Sequence, residues 1–472
     1  MSATDQAVSA AVAAAEDWAA APPEARARAL KAAADALEAA RAELVPLADS
    51  ESHLGPARLN GELTRTTFQL GLFAEQVLAG GFYDARIDRP DPEWPTGPRP
   101  DLRRYRTALG PVLVFAASNF PFAFSVAGGD TASALAAGCP VVVKAHPGHP
   151  ALSRRTAEIV TAALRDAGAP EGTFALIEGE QEGVEALRHP GIKAAAFTGS
   201  ERGGLALAKI AADRPEPIPF YGELGSTNPV VVTSGAAKAR GEEIAKGYVG
   251  SVTQGAGQFC TNPGILFVPA GDGIVDRISA LLGEVAASPM LNDRIESGFL
   301  DAARTLGERP GVQRLIWPED GSAAPRLLTM DLAAFAADSQ AAARECFGPL
   351  GLVVTYERLR DVAEVLAKLP GQLTTSLHGE ADETGELTGL AGVLAERSGR
   401  VLWNQWPTGV SVTHAMQHGG PYPATTTPAT TSVGTAAIER FLRPVSYQNW
   451  PQDLLPQPLR DGNPWNVPQQ IT

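Results

Sequence analysis

The chain has 472 residues, 44% of them hydrophobic, and its 39 basic and 53 acidic side chains leave a net charge of -14. This length suffices for a large core and more than one domain, and the negative balance argues against a nucleic-acid binder or a protein held on anionic lipid. Three cysteines, Cys139, Cys260 and Cys346, are too few and too odd in number for a disulfide framework, and they fit a reducing compartment. The N-terminus lacks the basic segment of a signal peptide, and no apolar run approaches the ~18 residues of a membrane span. A cytoplasmic protein without membrane attachment is the expectation.

In chain order, Leu30, Ala34, Leu37, Ala40, Leu44 and Leu47 recur at helical spacing over 24–50, with Pro46 expected to end or kink the helix. A second helix is predicted over 59–79. The stretch 84–109 holds five prolines and many charges, and it reads as a protruding hairpin outside the core. From Gly110 short apolar runs alternate with helical ones. VLVFA (112–116) precedes a helical 124–137, and PVVVK (140–144) a helical 151–167. FALI (174–177) precedes a helical 181–188, and KAAAF (193–197) a helical 200–212. Such alternation predicts a parallel sheet covered on both faces. A second set runs from PVVV (229–232) through GLVVTYE (351–357), a helical 359–368 and VLWN (401–404). The irregular tail from Arg443 carries aromatic residues that must be buried, and with 84–109 it suggests a subunit contact.

Several short stretches look chemical. In GAGQFCTNPG (255–264), Cys260 sits among small residues that let another molecule approach its sulfur. Glu223 stands between glycines in YGELGSTNP, as a general base or a solvated turn residue. Asn119, in SNFPF, directly follows a strand and could offer its amide to a developing oxyanion. Gly199 and Ser200, in FTGS, open a helix where free backbone N–H groups could hold a pyrophosphate. GAGQFC itself follows no clear strand and is not a dinucleotide motif. His414 and His418 have no carboxylate or thiol near them in sequence and read as loop histidines. No metal or nucleoside-triphosphate motif occurs, and no metal is expected.

The ordered set Asn119, Lys144, Gly199–Ser200, Glu223, Cys260 and Glu345-x-Phe347 resembles the aldehyde dehydrogenase superfamily over almost the whole chain. SNFPF, VVVKAHP, FTGS, ELG, GQFC and ECFGP carry the resemblance. More narrowly, ELGSTNPV, GQFCTNPG and WPTGVSVTHAMQHGGPYPATT are similar to the branch acting on 2,5-dioxopentanoate. A neighbouring branch acts with NADP on fatty aldehydes. The resemblance implies an α/β fold with a Rossmann-type cofactor domain (1–83 and 110–223), an α/β catalytic domain (224–440), and a β-arm with tail (84–109 and 441–472) for oligomerisation as a homodimer or homotetramer.

It also implies roles. Cys260 is the nucleophile that becomes a thioester, Asn119 the oxyanion donor, and Glu223 the base that activates water. Lys144 contacts the adenosine ribose, Glu345 the nicotinamide ribose, and Phe347 packs beside the nicotinamide. The expected reaction is oxidation of an aldehyde to a carboxylate, 2,5-dioxopentanoate to 2-oxoglutarate, with a fatty or other aliphatic aldehyde as the alternative. Glu223 favours hydrolysis over transfer to coenzyme A. NAD-preferring relatives often carry a glutamate where this chain has Pro147. A carboxylate ~4 Å from a 2′-phosphate would cost ~1–4 kcal/mol, so NADP is expected to be preferred and NAD possible, with Lys144 and His146 or His149 as the local donors. Arg65 is a candidate for binding a carboxylate on the substrate.

Overall fold

The computed structural model describes residues 2–472. Five parallel strands form the first sheet, in spatial order Phe174–Ile177, Val141–Lys144, Val112–Phe115, Ala194–Thr198 and Phe220–Glu223. Val112, Val114, Val141 and Val143 pack with the N-terminal helices on one face. Leu113, Val142 and Ala195 pack with helices on the other. Burial on both faces is why these strands read as unbroken apolar runs. The chain winds outward in both directions from Val112–Phe115, so a crevice opens at the C-terminal ends of Val112–Phe115 and Ala194–Thr198. The Asn119 loop and the Gly199–Ser200 turn both leave from that crevice.

Seven strands form the second sheet, in the order Gln313–Ile316, Arg326–Asp331, Leu350–Tyr356, Ile265–Pro269, Val230–Val232, Gln372–His378 and Ser398–Trp403. All neighbours are parallel except the first pair. A third sheet joins Ala85–Asp88 and Leu102–Ala108 as an antiparallel hairpin, flanked by Leu442–Gln448 and Gln469–Ile471. The proline-rich excursion and the tail therefore share one small sheet.

Three local expectations differ. The predicted helix 24–50 is two helices, Pro23–Ala39 and Arg41–Ser52. A proline strains the turn before it, and the break falls at Ala40, where Arg41 turns to bond Glu38 and the Asn60 carbonyl. The predicted helix 124–137 starts only at Gly129. Before it the chain coils tightly, and a Cβ on Gly128 would lie 2.5 Å from the Ala123 carbonyl oxygen. The second predicted helix is longer than expected, Pro56–Ala79. No helix among the described residues is long and apolar enough to cross a membrane.

Candidate active site

Cys260 follows the helix Ser234–Thr253 through a turn in which Gly255, Ala256 and Gly257 all have positive φ. For Ala256 that conformation costs about 1–2 kcal/mol, so packing must hold it. A Cβ on Gly257 would run into the Gly348 carbonyl, and one on Gly255 into the Arg58 guanidinium. The small residues before the thiol thus serve backbone geometry as well as access. The loop beyond is fixed by Asn228, whose amide donates to the carbonyls of Cys260 (2.8 Å) and Asn262 (2.9 Å).

Glu223 ends the last strand of the first sheet and is buried, not in a solvated turn. The long loop 404–434 runs beside that strand: Leu224 N–H donates to Ala424 O, and Thr426 N–H to Gly222 O. The same loop delivers His418 and Ser432. His418 Nε2 lies 2.9 Å from Glu223 Oε1 and 3.5 Å from Cys260 Sγ. Ser432 Oγ donates to the other Glu223 oxygen at 2.5 Å. Burial raises a carboxyl's pKa, yet the His418 charge and these hydrogen bonds outweigh it and hold Glu223 below its ordinary value. The Cys260 thiol is pushed well above its ordinary value by burial, with the adjacent Glu223 carboxylate adding to the effect. A resting thiol beside an ionised base results.

His418 was misjudged from sequence, since its thiol and carboxylate partners lie 158 residues away or more and meet it only in the fold. The sole local sign was the glycine pair that follows it. A Cβ on Gly420 would lie on the Gln372 carbonyl, so the pair lets this loop press against the second sheet. His414 instead bonds the Thr435 hydroxyl. A polar cleft of about 270 Å³ reaches Glu223 and His418, lined by Asp130, Thr198, Tyr221 and several loop threonines.

Asn119 is buried, and its amide donates to the Gln258 carbonyl at 3.0 Å, next to the nucleophile loop. Around it lies a set that sequence reading touched only at Arg65. Arg58 stacks on Phe120 and Phe259, with 5.0 and 4.6 Å to the ring centroids, and donates to the Asn119 carbonyl. Arg65 lies over Phe124 at 5.2 Å and over Phe120 at 5.9 Å. In each, two buried guanidinium nitrogens have no partner: Nε and Nη1 of Arg58, Nε and Nη2 of Arg65. The field of Arg65 reaches the Cys260 sulfur, opposing the rise in its pKa. Unpaired buried donors of this kind suit an anion.

On the other flank, Lys144 ends its strand with its stem against Gly183, where a Cβ would crowd both Lys144 and Phe115. His146 Nδ1 accepts from Gly148 N–H, and burial pushes its pKa down to about 3, so it offers a neutral Nε2–H. His149 does not join it: its ring nitrogens meet the Ala117 carbonyl and Ser153 hydroxyl. Ser200 caps the helix Glu201–Ala212. The Gly199 N–H, expected from sequence to be free, instead donates to the Glu223 carbonyl. Glu345 and Phe347 line one cavity of about 370 Å³ with Phe259 and Asn262. Burial pushes Glu345 up to about 7, and a Cβ on Gly225 would sit 2.6 Å from its carboxylate oxygen.

The profile of the "Aldehyde dehydrogenase family" matches residues 1–300. The chain belongs to the aldehyde dehydrogenase family. It is 46% identical to "Alpha-ketoglutaric semialdehyde dehydrogenase 2" of Azospirillum brasilense, over 95% of this chain and 87% of that protein. With "Alpha-ketoglutaric semialdehyde dehydrogenase" of Acinetobacter baylyi it shares 43% identity over 91% and 83%. Among solved structures, aldehyde dehydrogenase 21 of Physcomitrella patens, in complex with the product succinate, superposes with a TM-score of 0.79 at 20% identity, covering 94% of this chain and 89% of that one. The NAD-bound 1-pyrroline-5-carboxylate dehydrogenase from Thermus gives 0.77 at 21% identity, covering 94% and 85%. Both likenesses concern the fold. The family's α/β architecture and its aldehyde-oxidising activity are thus those of this chain.

Proposed function

We propose that this enzyme oxidises a short aldehyde bearing a distal carboxylate, 2,5-dioxopentanoate, to 2-oxoglutarate by way of a Cys260 thioester that water hydrolyses. The observation that carries the substrate class is the pair of half-buried arginines, Arg58 and Arg65, with four buried, unpartnered guanidinium nitrogens beside the nucleophile loop. The names of the two similar bacterial proteins support the same choice.

The steps follow from the side chains. Ionised Glu223 takes the Cys260 proton, and the sulfur adds to the aldehyde carbon, forming a C–S bond and an oxyanion. The Asn119 amide and the Cys260 N–H hold that oxyanion, each such donor being worth ~10²–10³ in rate. A hydride acceptor for the conversion of this adduct to a thioester would be supplied by the nicotinamide cofactor when bound. Glu223, its first proton released toward the polar cleft, then takes a proton from water as the oxygen attacks the thioester. The C–S bond breaks, the proton left on the new acid passes to the departing thiolate and restores the Cys260 thiol, and the carboxylate product departs. With its hydrogen on Nε2, His418 donates to Glu223, so it anchors the base and does not compete with it.

The crevice residues fit a dinucleotide: Gly183 and Gly225 leave room around Lys144 and Glu345 that a side chain would fill. Lys144 and the His146 N–H would serve a 2′-phosphate, with Arg294 nearby and no carboxylate at Pro147. Glu180 and Glu182 also act on Lys144 and are the groups that oppose this preference. NADP is the proposed cofactor, NAD the lesser one. Titration of both by fluorescence quenching, with kcat/KM for each, tests this; tighter NAD binding would overturn it.

For assembly we propose a homodimer or homotetramer in the cytoplasm. The outer strand of the second sheet exposes Val401 and Trp403, and the arm and tail expose Trp450, Leu454 and Ile471. Light scattering should return two or four copies, and a monomer would refute it. The substrate test compares 2,5-dioxopentanoate with pentanal. A kcat/KM at least tenfold higher for the anion is expected, and parity would favour the second reading, an aliphatic aldehyde received by Phe120, Phe124 and Phe259. Product analysis should give free acid with or without coenzyme A.

A further inference from the structure

Glu62 takes no part in the chemistry above, yet it is a buried acid at the edge of the site. It lies on the helix Pro56–Ala79, one turn after Arg58 and one turn before Arg65, 5% exposed. Side chains at i, i+4 and i+7 share a helix face, so this stripe faces the loop that leaves the crevice. Glu62 Oε1 accepts two successive backbone N–H groups, those of Phe122 at 2.8 Å and Ala123 at 3.0 Å. Its other oxygen is buried without a partner. One turn back, Arg58 donates to the Asn119 carbonyl at 2.6 Å. The Asn119 loop is thus gripped from one helix at both polarities: a carbonyl by a guanidinium, two amides by a carboxyl.

We infer that Glu62 is a positioning residue, holding the 119–123 segment so that the Asn119 amide stands where the oxyanion develops. Without that acceptor, two buried N–H groups lose their partner, and the loop must move to find another or bear the cost. A shift of about 1 Å in a donor or nucleophile costs about 10²-fold in rate. The grip needs only an oxygen acceptor, whatever its protonation state, which gives the inference a distinctive signature.

The inference rests on the proposed role of Asn119, and the experiment separates the two. Glu62→Ala, Glu62→Gln, Asn119→Ala and the double variant Glu62→Ala with Asn119→Ala are compared with pentanal, a neutral aldehyde, so that arginine recognition does not enter. Cofactor affinity by fluorescence and the melting temperature monitor folding. E62A should lower kcat about 10²-fold with cofactor Kd unchanged, and E62Q should recover kcat to within about threefold of the parent. In the N119A background E62A should cost less than threefold more, because the donor it positions is gone. If N119A is as fast as the parent, the role of Asn119 fails. If N119A is slow while E62A is not, if E62Q is as slow as E62A, or if the two losses multiply, the inference about Glu62 alone is overturned.

Discussion

Two carboxyls act on the Cys260 sulfur, Glu223 buried and Glu345 half-buried, and the protein moves them in opposite directions. Glu345 is desolvated with one backbone N–H, from Ser226, as its partner, and it rises to about 7. Glu223 is the more deeply enclosed of the two, but a hydroxyl and an imidazole meet its two oxygens, and it falls below its ordinary value. Burial alone therefore does not set the charge of an acid; the donors brought to it do. The difference suits the work proposed for each, a base ionised at neutral pH on one side and a group whose acceptor capacity varies near neutrality on the other.

The comparison can be broken at four points. Glu223→Gln removes the base while keeping the shape, and kcat should fall ~10²–10⁴-fold, with the acyl-enzyme seen by mass spectrometry after one turnover. His418→Ala strips a charge-assisted partner from Glu223, and a loss of about 10²-fold is expected from such a bond. Its pH–rate profile carries the sign: in the parent Glu223 stays ionised to below its ordinary value, so the acid limb lies low, and in H418A that limb moves to higher pH. Arg65→Ala should raise KM for an anionic aldehyde about tenfold, the lower end for a hydrogen bond to a charged group, and leave pentanal unaffected. Equal changes for both aldehydes would remove Arg65 from substrate binding.

The smallest effect is expected at Glu345→Gln, about threefold in cofactor affinity, as for one neutral hydrogen bond. In the parent, cofactor affinity should weaken as pH falls through about 7 and the carboxyl protonates; E345Q should be flat there. Stability runs the other way. A carboxyl whose folded value exceeds its unfolded one costs stability as pH rises from about 4.5 to about 7. E345Q should therefore melt higher than the parent at pH 8 and alike at pH 4.

Most of the first sheet was legible because its strands are buried on both faces, and period-free apolar runs such as VLVF and VVVK leave little else to be. Less legible was 265–331, where the strand Gln313–Ile316 is mostly exposed and its sequence lacks that mark. The site divided in the same way. Cys260, Glu223 and Asn119 each sit in a short stretch whose glycines or position after a strand flagged them. Arg58, Glu62, His418 and Ser432 lie in an ordinary helix and an irregular loop, where the glycine pair after His418 is the one local sign.

By itself the sequence determined which segments become strands and helices and where the backbone must bend tightly before the thiol. Those properties depend on apolar periodicity and on residues without a Cβ, and both act over a few positions. Only the tertiary structure decided that an imidazole from residue 418 would meet a carboxylate from residue 223. It alone set one helix face of alternating charge against the Asn119 loop, because electrostatic environment depends on distance through space, which the order of residues does not record.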